Sequence, residues 1–154
     1  MIINMNTIKK LLAVAAVVLS AVSCRPDDHV PAVEYLEVNA NNISGSWELV
    51  EWNGSPLQSG TYVFVNFVRN DRTYQMWQNL DSFQNVPHKV TGSFFLETDP
   101  EYGAIIRGNY DHDSGDWAHR YIIKDLTKDS MVWVAKDDSE YVQKYHRVES
   151  VPVE

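Results

Sequence analysis

Five histidines, one cysteine and several acidic turns are the side chains of this 154-residue chain whose types could do chemistry. A histidine metal site that is legible in sequence has ligands at short, face-matching spacing such as His-x-Glu-x-x-His, and only the fold can bring together ligands from separate segments. His29, His88, His112, His119 and His146 stand on separate segments without that spacing, so they read as ordinary surface or core histidines and no metal is expected. In Asp111-His112-Asp113-Ser114-Gly115-Asp116, acidic residues alternate as in a calcium loop, but the sixth position is Asp116 instead of glycine and the twelfth is Ile122 instead of a bidentate acid. The simpler reading is a hairpin turn whose Asp and Gly serve the backbone. No Gly-x-Ser-x-Gly elbow occurs, and acidic pairs such as Asp99 with Glu101 lie in turn sequence where solvation accounts for them. The expectation is a non-catalytic protein without a cofactor.

Aromatic residues are the other group of interest. Trp77, Trp117, Trp133, Tyr62, Tyr74, Tyr121, Tyr141 and Tyr145 exceed what a small domain needs to fill volume, and Trp and Tyr join apolar area to a polar handle. Two readings stay open, a core filled by these rings or a small pocket lined by them. The pocket reading makes Tyr74, Trp77, Trp117, Tyr121, Trp133, Tyr141 and Tyr145 the candidate ligand-binding residues.

Cys24 has a different context. Lys9 and Lys10 precede the apolar run Leu11–Leu19, and small residues Ser20, Ala21 and Ser23 follow, which is the layout of an export signal and too short to span a bilayer, where ~20 apolar residues are needed. Leu19-Ser20-Ala21-Val22-Ser23-Cys24 resembles a lipobox, the processing site of bacterial lipoproteins, although Ala21 stands where Leu is commonest. The resemblance implies that residues 1–23 are a signal peptide and that Cys24 is lipidated. Acyl chains contribute ~0.8 kcal/mol per buried CH₂, enough for stable anchoring to a bacterial membrane. Residues 24–42, polar and carrying Pro26 and Pro31, read as the lipidated N-terminus and its tether. Arg25-Pro26-Asp27-Asp28 resembles outer-membrane export signals of Gram-negative lipoproteins, with periplasmic and surface-facing display both open.

Removing Lys9 and Lys10 with the leader takes the formal charge from −8 to −10. So acidic a chain is a poor partner for nucleic acid, whose phosphates need clustered Lys and Arg. A single cysteine excludes an intramolecular disulfide.

Elements that could position the aromatics follow from residues rich in β-branched and aromatic side chains alternating with turn clusters. Eight strands are predicted: Ser46–Trp52, Thr61–Val68, Thr73–Gln78, Lys89–Glu97, Ala104–Tyr110, Trp117–Lys124, Met131–Ala135 and Tyr141–Val148. The connections are short, so neighbours should run antiparallel. Period-2 alternation is clear in Trp117-x-His119-x-Tyr121-x-Ile123 and in Tyr141-x-Gln143-x-Tyr145-x-Arg147. Tyr62–Val65 and Ala104–Ile106 are apolar on both faces, which predicts a cover from a loop, a partner or the segment Val33–Val38. An open sheet of this length leaves two raw edges, and closure into an up-and-down barrel removes both; a two-sheet sandwich is the alternative.

Gly45-Ser46-Trp47 opening the first strand, with Arg147 near the end of the last, is similar to the lipocalin superfamily, where the late Arg packs across the Trp at the closed end of the barrel. The order Gly115-Asp116-Trp117, Tyr121-Ile122-Ile123, Leu126-Thr127, Met131-Val132-Trp133, Tyr145-His146-Arg147 resembles the lipocalin-like domains of small, Bacteroidetes-type lipoproteins. The resemblance covers residues 43–149 and leaves 150–154 as a tail. It implies an all-β, eight-stranded antiparallel barrel with Gly45, Trp47 and Arg147 as its closing motif. The chain departs from the pattern in lacking the motif of the loop before the last strands, a C-terminal helix and a disulfide. The function expected is a lipid-anchored envelope protein binding a small apolar or amphipathic ligand. The alternative is a filled barrel acting as a protein- or glycan-binding module through a face such as Trp52, Val63, Val65 and Phe67.

Overall fold

A computed structural model describes residues 31–80 and 86–152, and the account below concerns the unit that begins at Val33. Cys24 and the leader lie outside the described residues. The elements are α1 (Ala40–Ile43), β1 (Gly45–Trp52), β2 (Ser55–Pro56), β3 (Val63–Val68), β4 (Thr73–Gln78), β5 (His88–Asp99), β6 (Gly103–Tyr110), β7 (Tyr121–Lys124), β8 (Ser130–Ala135) and β9 (Val142–Val148). Strands β3 to β9 pair antiparallel in chain order, and β1 pairs with both β3 and β9. The sheet is thus a closed eight-stranded up-and-down barrel, with β2 a two-residue extension hairpinned to β1. Closure gives both edge strands a partner, which decides barrel over sandwich.

The register assigns the faces. Residues directly opposite in antiparallel neighbours share a side of the sheet, and the inward rows carry the core: Trp47, Leu49, Val65, Phe67, Tyr74, Phe94, Ile106, Ile123, Met131, Trp133 and Tyr145 are all buried. Each fully buried aliphatic or aromatic side chain contributes ~1.5–3 kcal/mol relative to exposure. The doubly apolar Ala104–Ile106 has its explanation on the outer face, where Ile105, Ile122 and Val134 form one row across β6, β7 and β8. Across that face run the ion pairs Lys136–Asp99 at 2.6 Å and Arg120–Glu97 at 3.6 Å, with Arg107 also on Glu97. The aliphatic stems of these long side chains cover apolar surface while their heads stay wet.

Two boundaries differ from the sequence reading by more than two residues. The tether expected over 24–42 ends sooner, because Leu36 and Val38 pack against the core and Leu36 N donates to the Leu126 carbonyl at 2.8 Å. Asn39 then caps α1, its side-chain oxygen accepting from Asn41 N and Asn42 N at 3.0 Å each, and Ile43 is fully buried. The strand expected from Trp117 starts only at Tyr121. Residues 117–120 leave the ladder because the Trp117 ring is folded inward over β6, although Trp117 N still donates to the Gly108 carbonyl at 2.9 Å.

Candidate functional site

The barrel has one sealed end and one open end. At the sealed end Trp47 stands in the axis with no exposed surface, its Nε1 donating to the Ile43 carbonyl at 2.8 Å. Arg147, its cross-strand partner on β9, lies over the indole with the guanidinium carbon 4.1 Å from the ring centroid. The planar fork also donates to three carbonyls: Ser44 at 2.6 Å, Asn42 at 2.7 Å and Lys128 at 2.7 Å. It thereby ties the end of α1 and the β7–β8 turn to the last strand, a geometry an ammonium lacks. Gly45 is required beside it: its φ is +104°, and a Cβ there would come within 2.9 Å of an Arg147 terminal nitrogen.

The opposite end holds a half-open cavity of about 210 Å³. One wall is aliphatic, with Leu49, Val63 and Met76 from β1, β3 and β4, and the other is aromatic, with Trp117, Tyr121, Trp133 and Tyr141. A register irregularity between Leu49 and Glu51 sets the rim. Without it, alternation from Trp47 and Leu49 would turn Glu51 inward; the extra residue Val50 turns Glu51 out toward Lys144, 3.5 Å away, and Trp52 in toward the cavity. There Trp52 meets Tyr141 edge to face at 5.4 Å.

The aromatic wall is held from behind. Trp117 Nε1 donates to the Tyr74 hydroxyl at 2.8 Å, and its indole occupies the space a side chain on Gly108 would need, since a Cβ there would lie 2.4 Å from the ring. Trp117 and Trp133 lie 5.8 Å apart, Tyr121 and Trp133 5.2 Å, Tyr121 and Tyr141 6.2 Å. Burial pushes the Tyr74 hydroxyl up to about 12 and holds those of Tyr121, Tyr141 and Tyr145 above their ordinary value. These phenols therefore stay protonated at neutral pH, where they offer hydrogen bonds and not bases. Tyr145 donates to Gln143 Oε1 at 2.9 Å. At the rim, His119 Nδ1 faces the Asp137 carboxylate at 2.9 Å, and its ring packs on Tyr141 at 4.8 Å.

Of the seven aromatic residues singled out, Trp117, Tyr121, Trp133, Tyr141 and Tyr145 line the cavity. Tyr74 stands behind it as support for Trp117. Trp77 is corrected: it is one step out of phase with the inward residues Tyr74 and Met76, and its ring carries Lys89 on the outer face, 4.8 Å from the centroid. The exposed docking face imagined from Trp52, Val63, Val65 and Phe67 is also corrected, because Val63, Val65 and Phe67 are interior residues of β3 and Trp52 is turned into the cavity. Sequence reasoning missed Trp52, Met76, Gln78, His119 and Gln143 as lining residues. His119 and Gln143 were visible in the period-2 runs that gave Tyr121 and Tyr145; Trp52 was not, since an inserted residue shifts its phase. Among the described residues no three of His, Cys, Asp and Glu come together to hold a metal. Asp111, from the acidic turn, instead accepts from the Thr91 hydroxyl at 2.6 Å, while His112 and Asp113 adopt left-handed turn conformations.

No family model matches the chain, and no curated protein matches it. Among solved structures it is similar to a lipocalin-like protein from Bacteroides uniformis, with 16% sequence identity and a TM-score of 0.48 over 69% of this chain and 97% of that one.

Proposed function

We propose that this protein is a lipid-anchored, non-catalytic protein of the bacterial cell envelope whose barrel binds a small amphipathic molecule at its open end. The observation that carries the reading is the 210 Å³ half-open cavity with aromatic and aliphatic walls and a few polar groups. It lies below the ~300–1,000 Å³ of drug-sized pockets, so the molecule is small. The lining offers tyrosine hydroxyls, glutamines and one histidine but no carboxylate or thiol, which suits recognition better than bond-breaking. Anchoring at Cys24 rests on the signal-like leader before it and on its being the single cysteine.

Native mass spectrometry of protein purified from its own cells tests the binding role. A stoichiometric small-molecule adduct, lost in a Trp133→Ala variant that remains folded, is the expected result, and an empty protein that also takes up no small aromatic or aliphatic probe would sink the reading. For the anchor, Cys24→Ser should release the protein from carbonate-washed membranes; a variant that still sediments with them would overturn it.

A further inference from the structure

Charge is distributed unevenly around the open end, and this narrows the chemistry of the ligand. The two loops that flank the aromatic wall, 111–120 and 136–141, carry Asp111, Asp113, Asp116, Asp137, Asp138 and Glu140. Their two basic residues, Arg120 and Lys136, are turned to the outer face and neutralised there by Glu97 and Asp99. None of the six acids has a lysine or arginine partner among the described residues; Asp137 engages His119 and Asp111 the Thr91 hydroxyl. This side of the rim is therefore negative, with Lys89 near Asp111 as the cation beyond it, and carboxylates beside a low-dielectric cleft concentrate cations at its entrance.

Inside, no carboxylate lines the cavity. A primary ammonium brought there would lose its water and find no ionised acceptor, only neutral hydroxyl and amide oxygens, of which Gln143 Oε1 already accepts from Tyr145. A quaternary ammonium has no donors to satisfy, and the electron-rich faces of Trp and Tyr attract it. Trp52 and Tyr141 meet at 74° and form a corner, with Tyr121 beside Tyr141 continuing the wall, so one compact head can touch more than one ring. The aliphatic wall of Leu49, Val63 and Met76 receives its methyl groups. A cavity of about 210 Å³ is small and suits a compact head such as trimethylammonium with a short tail.

We infer that the cup selects a small methylated ammonium compound, drawn in by the acidic rim and held against the aromatic corner of Trp52 and Tyr141. The inference rests on the binding role proposed above and specifies its ligand class.

The test titrates the folded protein with choline, with the neutral alcohol in which a quaternary carbon replaces its nitrogen, and with indole, following tryptophan fluorescence and calorimetry. Shape is shared by the first two and charge is not. Choline should bind about tenfold or more tightly than its carbon analogue, and that ratio should fall on raising salt and in an Asp137→Asn, Glu140→Gln variant. Trp52→Leu, which keeps an apolar side chain at a partly exposed rim position but removes the π face, should cut choline binding several-fold more than binding of the alcohol. If the alcohol binds as well as choline, or indole displaces both with higher affinity, the cation inference is overturned while the binding role stands. If none of the three binds a protein whose circular dichroism shows it folded, both fail.

Discussion

The two ends of this barrel are built from the same kinds of residue and do opposite things with them. At the sealed end one Trp, one Arg and one Gly interlock, every donor of the guanidinium fork that reaches an acceptor is aimed at a backbone carbonyl, and the indole keeps no exposed surface. At the open end five of the aromatic rings lean on one another along one wall and face an aliphatic wall across empty space. Aromatic content alone does not tell a plug from a pocket. The difference lies in whether a long cationic side chain and a capping helix are available to close over the rings.

If the contrast is right, mutations at the sealed end should act on stability and those at the open end on the cavity. The largest effect is expected for Trp47→Ala, which leaves a void under Arg147 and removes the Ile43 hydrogen bond; ~3–5 kcal/mol should be lost in urea denaturation. Arg147→Lys comes next, at ~2–3 kcal/mol, since the charge survives but the planar stack and most of the carbonyl bonds do not. A double-mutant cycle with Trp47→Phe should give a coupling of ~0.5 kcal/mol or more, and additivity would mean the stack carries no energy. At the open end, Gly108→Ala is expected to cost ~1–3 kcal/mol by overpacking and, unlike the first two, to displace Trp117 into the cavity. Loss of small-probe binding out of proportion to the fall in stability is the signature to measure. The smallest effect at neutral pH is electrostatic. Tyr74 is protonated up to about 12 in the folded barrel and to about 10 when unfolded, so its contribution is intact below pH 10 and is lost as pH rises from 10 toward 12. Tyrosinate absorbance should appear late and together with unfolding; early, non-cooperative ionisation would show that the ring cluster is open to water.

Much of this contrast could be read in the chain. Period-2 alternation placed Tyr121, Trp133 and Tyr145 on one face because that signal depends on local geometry alone, whereas Gly45, Trp47 and Arg147 were legible only through the resemblance to a closing motif, since their contact joins the first strand to the last. Trp77 was misplaced because a short strand with polar residues on each side, Thr73-Tyr74-Gln75-Met76-Trp77-Gln78, gives either phase a bulky apolar residue. Trp52 was missed for a related reason: the insertion at Val50 reverses the alternation, and nothing local to Leu49-Val50-Glu51 announces it. Leu36 and Val38 fell in the expected tether, with Val33–Val38 one of three candidate covers for the doubly apolar strands, and only the distant Leu126 carbonyl and the core beneath them make that stretch part of the domain. Gly108 was unremarkable until Trp117, from another strand connection, was found lying on it.

The strap formed by Val33–Val38 has a mechanical consequence. It meets the body at the sealed end, where Leu36 bonds to Leu126 and where Val33 and Tyr35 lie near Asp125, Thr127 and Ser130. Any tension passed along the chain from upstream of Val33 therefore enters through the strap, α1 and the Trp47–Arg147 clasp, where one guanidinium joins three carbonyls. The cup lies at the far end of the strands from that point of attachment. A pull on the N-terminus would be borne by the clasp before it could distort the cavity, so the molecule could be held by one end while the other keeps its shape.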